Sequence, residues 1–210
     1  MRWYFDFISP FAYLQSRQLE TIPAAADLEF KPLLFAGLLN HWGQLGPAEL
    51  PTKRQWTFEH VVWLAHKSGV ELKLPAEHPF NPIPLLRLSL AAGNSREAVD
   101  AIFKFVWAEG NLPQDTSAFA GLCNKLGVNE EDISSPAVKQ QLKDNGDEAI
   151  ADGVFGVPTL VHDGQLFWGQ DATAMVIDFL QKSSTPDNWP EQNLAKARQL
   201  PNGLQRVRAK

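Results

Sequence analysis

Apolar and polar positions along this chain follow a period of two at the start, a helical period for roughly a hundred residues, and a period of two again near the end. Residues 2–8, Arg2-Trp3-Tyr4-Phe5-Asp6-Phe7-Ile8, alternate and are rich in aromatics, which predicts a buried strand. Ser9-Pro10 follows at once, and Phe11, Tyr13, Leu14 and Leu19 then fall at helical spacing. Ser is a preferred N-cap, and Pro suits the first helical position because its missing N–H would be unpaired there. Leu28-Glu29-Phe30-Lys31-Pro32-Leu33-Leu34 reads as a second strand, so strand, helix and strand make a βαβ unit.

The middle of the chain changes character. Helical periodicity runs through 56–64, 84–92, 96–107, 116–126 and 136–149, punctuated by Gly and Pro. Strand character returns at 154–162, Asp163-Gly164 supplies a hairpin signal, and Gln165-Leu166-Phe167-Trp168 is the returning strand. Asp171 is placed to cap a last helix to about Gln181, with Met175, Val176, Phe179 and Leu180 on one face. From Lys182 the sequence is polar, excess-basic and interrupted by Pro186, Pro190 and Pro201, as in a loosely ordered or partner-docking tail. The order βαβ, helices, ββα predicts an α/β, thioredoxin-like domain from residues 1–37 and 150–181, interrupted by an all-helical insertion over 38–149 and followed by a tail over 182–210.

Composition narrows the functions. At 210 residues, with 44% hydrophobic and 20% charged, the chain has globular values and enough length for a full core. A net charge of -5 argues against nucleic acid as a partner. The opening lacks the pattern of a signal peptide, and no apolar run approaches the ~18 residues of a membrane span, so the expectation is a soluble, cytoplasmic chain with no membrane partner. The single cysteine, Cys123, excludes an intramolecular disulfide, a CxxC pair and a cysteine-built zinc site. Its place on a helical apolar pattern fits a small buried hydrophobe. The five histidines show no metal-ligand spacing.

Candidate chemistry centres on Ser9. Capping alone accounts for a Ser before a Pro, but a strand running into a helix N-terminus also aims free N–H groups at one point and favours an anion there. Tyr4-Phe5-Asp6-Phe7-Ile8-Ser9-Pro10-Phe11-Ala12-Tyr13-Leu14 resembles the opening motif of the 2-hydroxychromene-2-carboxylate isomerases and kappa-class glutathione transferases, relatives of the DsbA disulfide oxidoreductases. Where those oxidoreductases carry CxxC, this chain has Ser9-Pro10-Phe11-Ala12, so dithiol exchange is excluded. The resemblance implies glutathione as cofactor, with Ser9 donating its hydroxyl hydrogen to the glutathione thiolate.

Further motifs extend the resemblance over residues 2–181. Gly153-Val154-Phe155-Gly156-Val157-Pro158-Thr159 is similar to a family segment with a cis proline. Sequence statistics alone favour trans, and an edge-strand proline is the plainer reading. The resemblance implies that Pro158 faces the helix N-terminus and that the Val157 backbone pairs with the cysteinyl part of glutathione. Phe167-Trp168-Gly169-Gln170-Asp171 resembles the segment gripping the γ-glutamyl group, with Asp171 toward the ammonium and the Gln170 and Asp171 N–H groups toward the carboxylate. Where the family continues with Arg, this chain has Ala172. Pro51-Thr52-Lys53-Arg54 resembles the family's Pro-x-Lys-Arg, implying Lys53 near glutathione or an acidic substrate and Arg54 at the substrate pocket; a solvated basic pair is the plainer reading. Family Arg-Asp and Arg-Trp pairs are replaced by Glu59-His60 and Trp63-Leu64. His78-Pro79-Phe80-Asn81-Pro82 resembles a segment lining the acceptor pocket, where Asn81 binds substrate or simply orders a turn. Phe11 is expected to line that pocket, and Trp42, Trp56, Trp63 and Trp107 either add aromatic surface or belong to the core.

The resemblance implies a glutathione-dependent cis–trans isomerase acting on a small aromatic unsaturated keto acid, by reversible thiolate addition to a conjugated double bond. Glutathione conjugation or peroxide reduction at the same site is one alternative, and a non-catalytic glutathione-binding module is another. A homodimer is implied by the family alone.

Overall fold

The computed structural model describes residues 1–23, 25–181, 195–197, 199 and 200. Strands β1 (Arg2–Phe5) and β2 (Glu29–Pro32) flank helix α1 (Pro10–Ser16). Helices α2 (Phe35–Trp42), α3 (Pro51–Lys67), α4 (Ile83–Ala91), α5 (Arg96–Trp107), α6 (Thr116–Leu126), α7 (Glu130–Ser134) and α8 (Pro136–Ala151) follow. The chain then forms the hairpin β3 (Thr159–His162) and β4 (Gln165–Trp168), and ends its described fold with α9 (Thr173–Gln181). The sheet order is β2-β1-β3-β4, with β1 and β2 parallel and both other pairs antiparallel. This is the mixed α/β, thioredoxin-like arrangement that the order of elements predicts. The expected tail, 182–210, lies almost entirely outside the described residues.

Strand β1 explains why the sheet lies between helices. Successive strand side chains point to opposite faces. Trp3 and Phe5 therefore enter a core with Tyr13 and Leu14 of α1 and Val99, Phe103 and Trp107 of α5. The rings of Trp3 and Phe5 stack at 4.3 Å, and Phe7 meets Phe103 at 4.7 Å. Tyr4 enters the opposite layer with Leu33, Leu38, Ala149, Val154 and Val161. Its hydroxyl donates to Asp152 at 2.7 Å, while Arg2 reaches Glu148 and Asp152, both at 2.9 Å, fastening the end of α8 beneath the sheet. Among the described residues, no helix is long and apolar enough to cross a membrane.

Several boundaries differ from the sequence reading. The first strand stops at Phe5 rather than running to residue 8, because Asp6 turns the chain: its carbonyl accepts the Ser9 N–H at 3.0 Å and its carboxylate the Ile8 N–H at 3.0 Å. Helix α2 was not anticipated. It has no local side-chain cap, and its first N–H, from Phe35, is bound by the Asp6 carboxylate at 2.9 Å, a cap supplied from 29 positions away. Strand β3 begins only at Thr159, since residues 154–158 approach it in an irregular segment. Asp171 caps no helix: it lies in a 3₁₀ turn, Gln170–Ala172, and α9 starts after it at Thr173. Met175 faces outward, whereas Val176 is buried. Cys123 is half-buried against the core, and burial pushes its thiol pKa up.

Candidate active site

The register of the sheet brings three chain segments to one end. Tyr4 pairs with Thr159, and Thr159 with Trp168. The exit of β1 toward Ser9, the entry of β3 at Pro158 and the exit of β4 toward Gly169 are therefore neighbours. A buried glutamine locks them together. Gln15 on α1 accepts from the Trp3 indole at 2.7 Å and donates to the Gly169 carbonyl at 2.9 Å and the Thr173 hydroxyl at 3.1 Å. Gly169 in turn donates its N–H to the Pro158 carbonyl at 2.9 Å.

Ser9 is the N-cap of α1. Its Oγ accepts the Ala12 N–H at 3.2 Å, and Pro10 opens the helix. Capping uses a lone pair and not the hydroxyl hydrogen, for which no acceptor exists among the described residues. Cap and donor are thus compatible roles of one side chain. The turn leading to Ser9 is held by three side chains. Asp6 binds the Ile8 N–H, the His78 ring donates from Nε2 to the Ile8 carbonyl at 2.9 Å, and the Trp107 indole donates to the Phe7 carbonyl at 2.8 Å. Burial pushes Asp6 up to about 7, against the bonds from the Phe35, Ile8 and Phe7 N–H groups that pull it down. Burial also lowers the His78 pKa, favouring the neutral ring.

At the entry of β3, the Val157–Pro158 peptide bond is cis. The Val157 N–H and C=O have no intramolecular partner among the described residues. Trp168 covers Gly156 so closely that a Cβ there would come within 2.6 Å of its indole nitrogen, so only glycine fits. Gly169 has φ +99°, which also calls for glycine. Beyond it, the Gln170 and Asp171 N–H groups are unpaired and the exposed Asp171 carboxylate has no partner among the described residues.

The helical side of the site is less uniform. Lys53 stands in the first turn of α3, exposed and without an ion pair among the described residues. Arg54 is engaged: it donates to the His78 carbonyl at 3.0 Å and lies 5.5 Å from the Phe58 ring centroid. Asn81 is engaged too, its Oδ1 accepting the Ile83 N–H at 3.1 Å where α4 begins. Phe11 meets the His60 ring at 6.0 Å, and His60 lies against Trp56 at 4.6 Å and Trp63 at 6.1 Å. Asp6, Gln15 and His78 were not singled out as site residues from the sequence. The signal for Asp6 was present, as one acid within an apolar strand pattern, whereas nothing local marks Gln15.

A seryl helix cap after β1 and a cis-proline loop before β3, at one end of a thioredoxin-like sheet, define the class. The DsbA-like thioredoxin domain model matches residues 2–181, and the chain belongs to that family. Within it, the chain is 29% identical over 188 residues to a 2-hydroxychromene-2-carboxylate isomerase of Sphingobium xenophagum, covering 85% of this chain and 94% of that protein. It is 27% identical over 204 residues to glutathione S-transferase kappa 2 of Caenorhabditis elegans, covering 86% and 91%. Among solved structures, a 2-hydroxychromene-2-carboxylate isomerase superposes with a TM-score of 0.76 at 26% identity, covering 93% of this chain and 98% of that one.

Proposed function

We propose that the protein is a cytoplasmic, homodimeric, glutathione-dependent cis–trans isomerase of aromatic unsaturated keto acids. The observation that carries this reading is the juxtaposition at the sheet end: a Ser9 hydroxyl with a free hydrogen and a Val157 backbone with both hydrogen-bonding groups free. Relatives that are isomerases and a kappa-class transferase support it.

The residues present fit glutathione. An unpaired strand-like N–H and C=O at Val157 suits a peptide cysteinyl unit by strand addition. The free Asp171 carboxylate suits an ammonium, and the unpaired Gln170 and Asp171 N–H groups suit a carboxylate. When bound, glutathione supplies a thiolate that adds reversibly to a conjugated double bond and so allows rotation about it. Ser9 holds that sulfur in its anionic form. A thiol of pKa about 8.5 needs roughly 2.7 kcal/mol to shift two pH units. Helix α1 has only seven residues, which puts its dipole contribution toward the lower part of about 0.3–2 kcal/mol. The Ser9 hydroxyl, at about 1.5–3 kcal/mol, then carries most of the effect. Lys53 attracts the acid group of the substrate.

The test is calorimetric titration with glutathione, followed by product analysis on an aryl-substituted unsaturated keto acid. Binding in the millimolar range or tighter, with isomers interconverted and glutathione recovered unchanged, is the expected result. The kappa-class relative favours a second reading, in which a thioether or oxidised glutathione accumulates instead. Binding without turnover identifies a non-catalytic module, and no binding removes both readings.

A further inference from the structure

The two peptide units that deliver the chain to Ser9 leave no backbone polar group free. In the first, Phe7–Ile8, the carbonyl accepts from the Trp107 indole at 2.8 Å and the N–H is bound by the Asp6 carboxylate at 3.0 Å. In the second, Ile8–Ser9, the N–H donates to the Asp6 carbonyl at 3.0 Å and the carbonyl accepts from His78 Nε2 at 2.9 Å. A carbonyl only accepts, so the ring hydrogen sits on Nε2. Burial, with the Arg54 charge acting the same way, keeps the ring neutral, which leaves Nδ1 a bare acceptor. That atom is buried and has no hydrogen-bond partner. Fold stability does not call for this arrangement. A buried carbonyl needs a donor, but an indole, as at Phe7, gives one with no acceptor left over. The stranded Nδ1 is a cost that the imidazole brings with it. What the imidazole supplies is direction. Its ring is set among those of Phe58 at 5.0 Å, Trp107 at 6.0 Å and Phe80 at 6.1 Å, and Arg54 of α3 holds its backbone carbonyl at 3.0 Å.

We propose that His78 is the positioning residue of Ser9: its bond to the Ile8 carbonyl fixes the Ile8–Ser9 peptide plane, and with it the direction in which the Ser9 hydroxyl is offered. A peptide unit is planar, so one held at both its N–H and its C=O cannot turn without breaking a bond. The Ser9 Cα lies in that plane. The residue's remaining freedom, at φ -90° and ψ 114°, is taken up by the bond from the Ala12 N–H to Oγ. Without His78, only the bond to the Asp6 carbonyl holds the plane. Ser9 is buried, so its hydroxyl reaches a ligand over few directions, and a modest turn of the plane takes the hydrogen away from it. His78 acts through Ile8 and touches no ligand. This deepens the reading of Ser9 as the donor to a bound thiolate and rests on it for the effect on glutathione, whereas the placement of Ser9 is independent of it.

The test compares His78→Phe, which keeps a ring without a donor, with His78→Gln, whose amide donates from the place of Nε2. Amide hydrogen exchange in the full chain without glutathione reads the turn. In His78→Phe the Ser9 and Ala12 N–H groups are expected to exchange about tenfold faster or more, while those of Ala98 and Ala118, held by the Ser95 and Asp115 caps, keep their rates. Glutathione titrations across pH, followed by thiolate absorbance, read the consequence. In His78→Phe the bound thiol pKa rises by about one unit, so the thiolate binds about tenfold more weakly and the thiol as tightly as before. His78→Gln recovers most of both effects. If His78→Phe does not fold, His78→Asn takes its place, its amide being too short to reach the carbonyl. Unchanged exchange at Ser9 and Ala12 overturns the proposal, as does exchange that quickens equally at Ala98 and Ala118. Faster local exchange with an unchanged bound thiol pKa makes His78 a residue of the fold alone and overturns it too. So does a His78→Gln protein as impaired as His78→Phe, because the donated bond is then not the cause. Wild type that binds no glutathione while the local exchange still depends on His78 supports the placement of Ser9 and removes the glutathione reading instead.

Discussion

Asp6→Asn separates a titrating carboxyl from a merely structural one. Asp6 is fully buried, and its pKa is pushed up to about 7 from an ordinary 3.8, chiefly by loss of solvent. An acid whose folded pKa is raised binds more protons in the folded than in the unfolded state between those two values. Its contribution to stability is therefore greatest in acid and is lost as pH rises toward and through 7. The full span, (7 − 3.8) at about 1.36 kcal/mol each, is about 4 kcal/mol, and roughly 3 kcal/mol of it falls between about pH 5 and about pH 9. Asparagine keeps the shape but does not titrate. It turns an NH₂ group toward the Ile8 or the Phe35 N–H, for a constant cost of about 1–3 kcal/mol. Urea denaturation of both proteins across this range removes every other carboxylate from the comparison, because both share them. The expected result is that the variant gains about 3 kcal/mol relative to wild type from the acid to the alkaline end. Stability profiles that run parallel within about 1 kcal/mol would refute the reasoning, and with it a carboxyl poised to titrate behind Ser9.

Ser9→Ala is expected to cost about 0.5–2 kcal/mol of stability through the lost cap. Turnover at neutral pH falls about tenfold or more and returns in alkali, and superimposable pH–rate profiles for the two folded proteins would reduce Ser9 to a cap. Gln15→Leu leaves the Trp3 indole N–H and the Gly169 carbonyl without their buried partner, so denaturation should show a loss of roughly 2–5 kcal/mol. Because the same bonds hold the turn at Gln170–Ala172, weaker glutathione binding should accompany that loss, and a cost under about 1 kcal/mol would show that water replaces the side chain.

Local chemistry alone determined the elements whose signals sit within a few residues of one another. Ser9 with Pro10, Ser95, Asp115 and Ser135 with Pro136 each accept an N–H three positions ahead, so their helices start where the sequence says they do. Asp163-Gly164 joins the two strands it separates, both central residues having positive φ. Absence of CxxC ruled out dithiol exchange before any coordinate was needed. Other features depended on partners far along the chain. Helix α2 is capped by Asp6, and the Ile8 carbonyl is bound by His78 from 70 positions away. Arg54 and Asn81, which read as substrate-facing, found backbone groups of their own protein within 3.0 and 3.1 Å. Trp56 and Trp63 look like core residues in sequence, and only the packing of α3 leaves them in solvent against the His60 ring. A cap or turn is decided by bonds that a short peptide already contains, whereas burial and the pairing of distant polar groups exist only once the sheet and its two helical layers have closed around them.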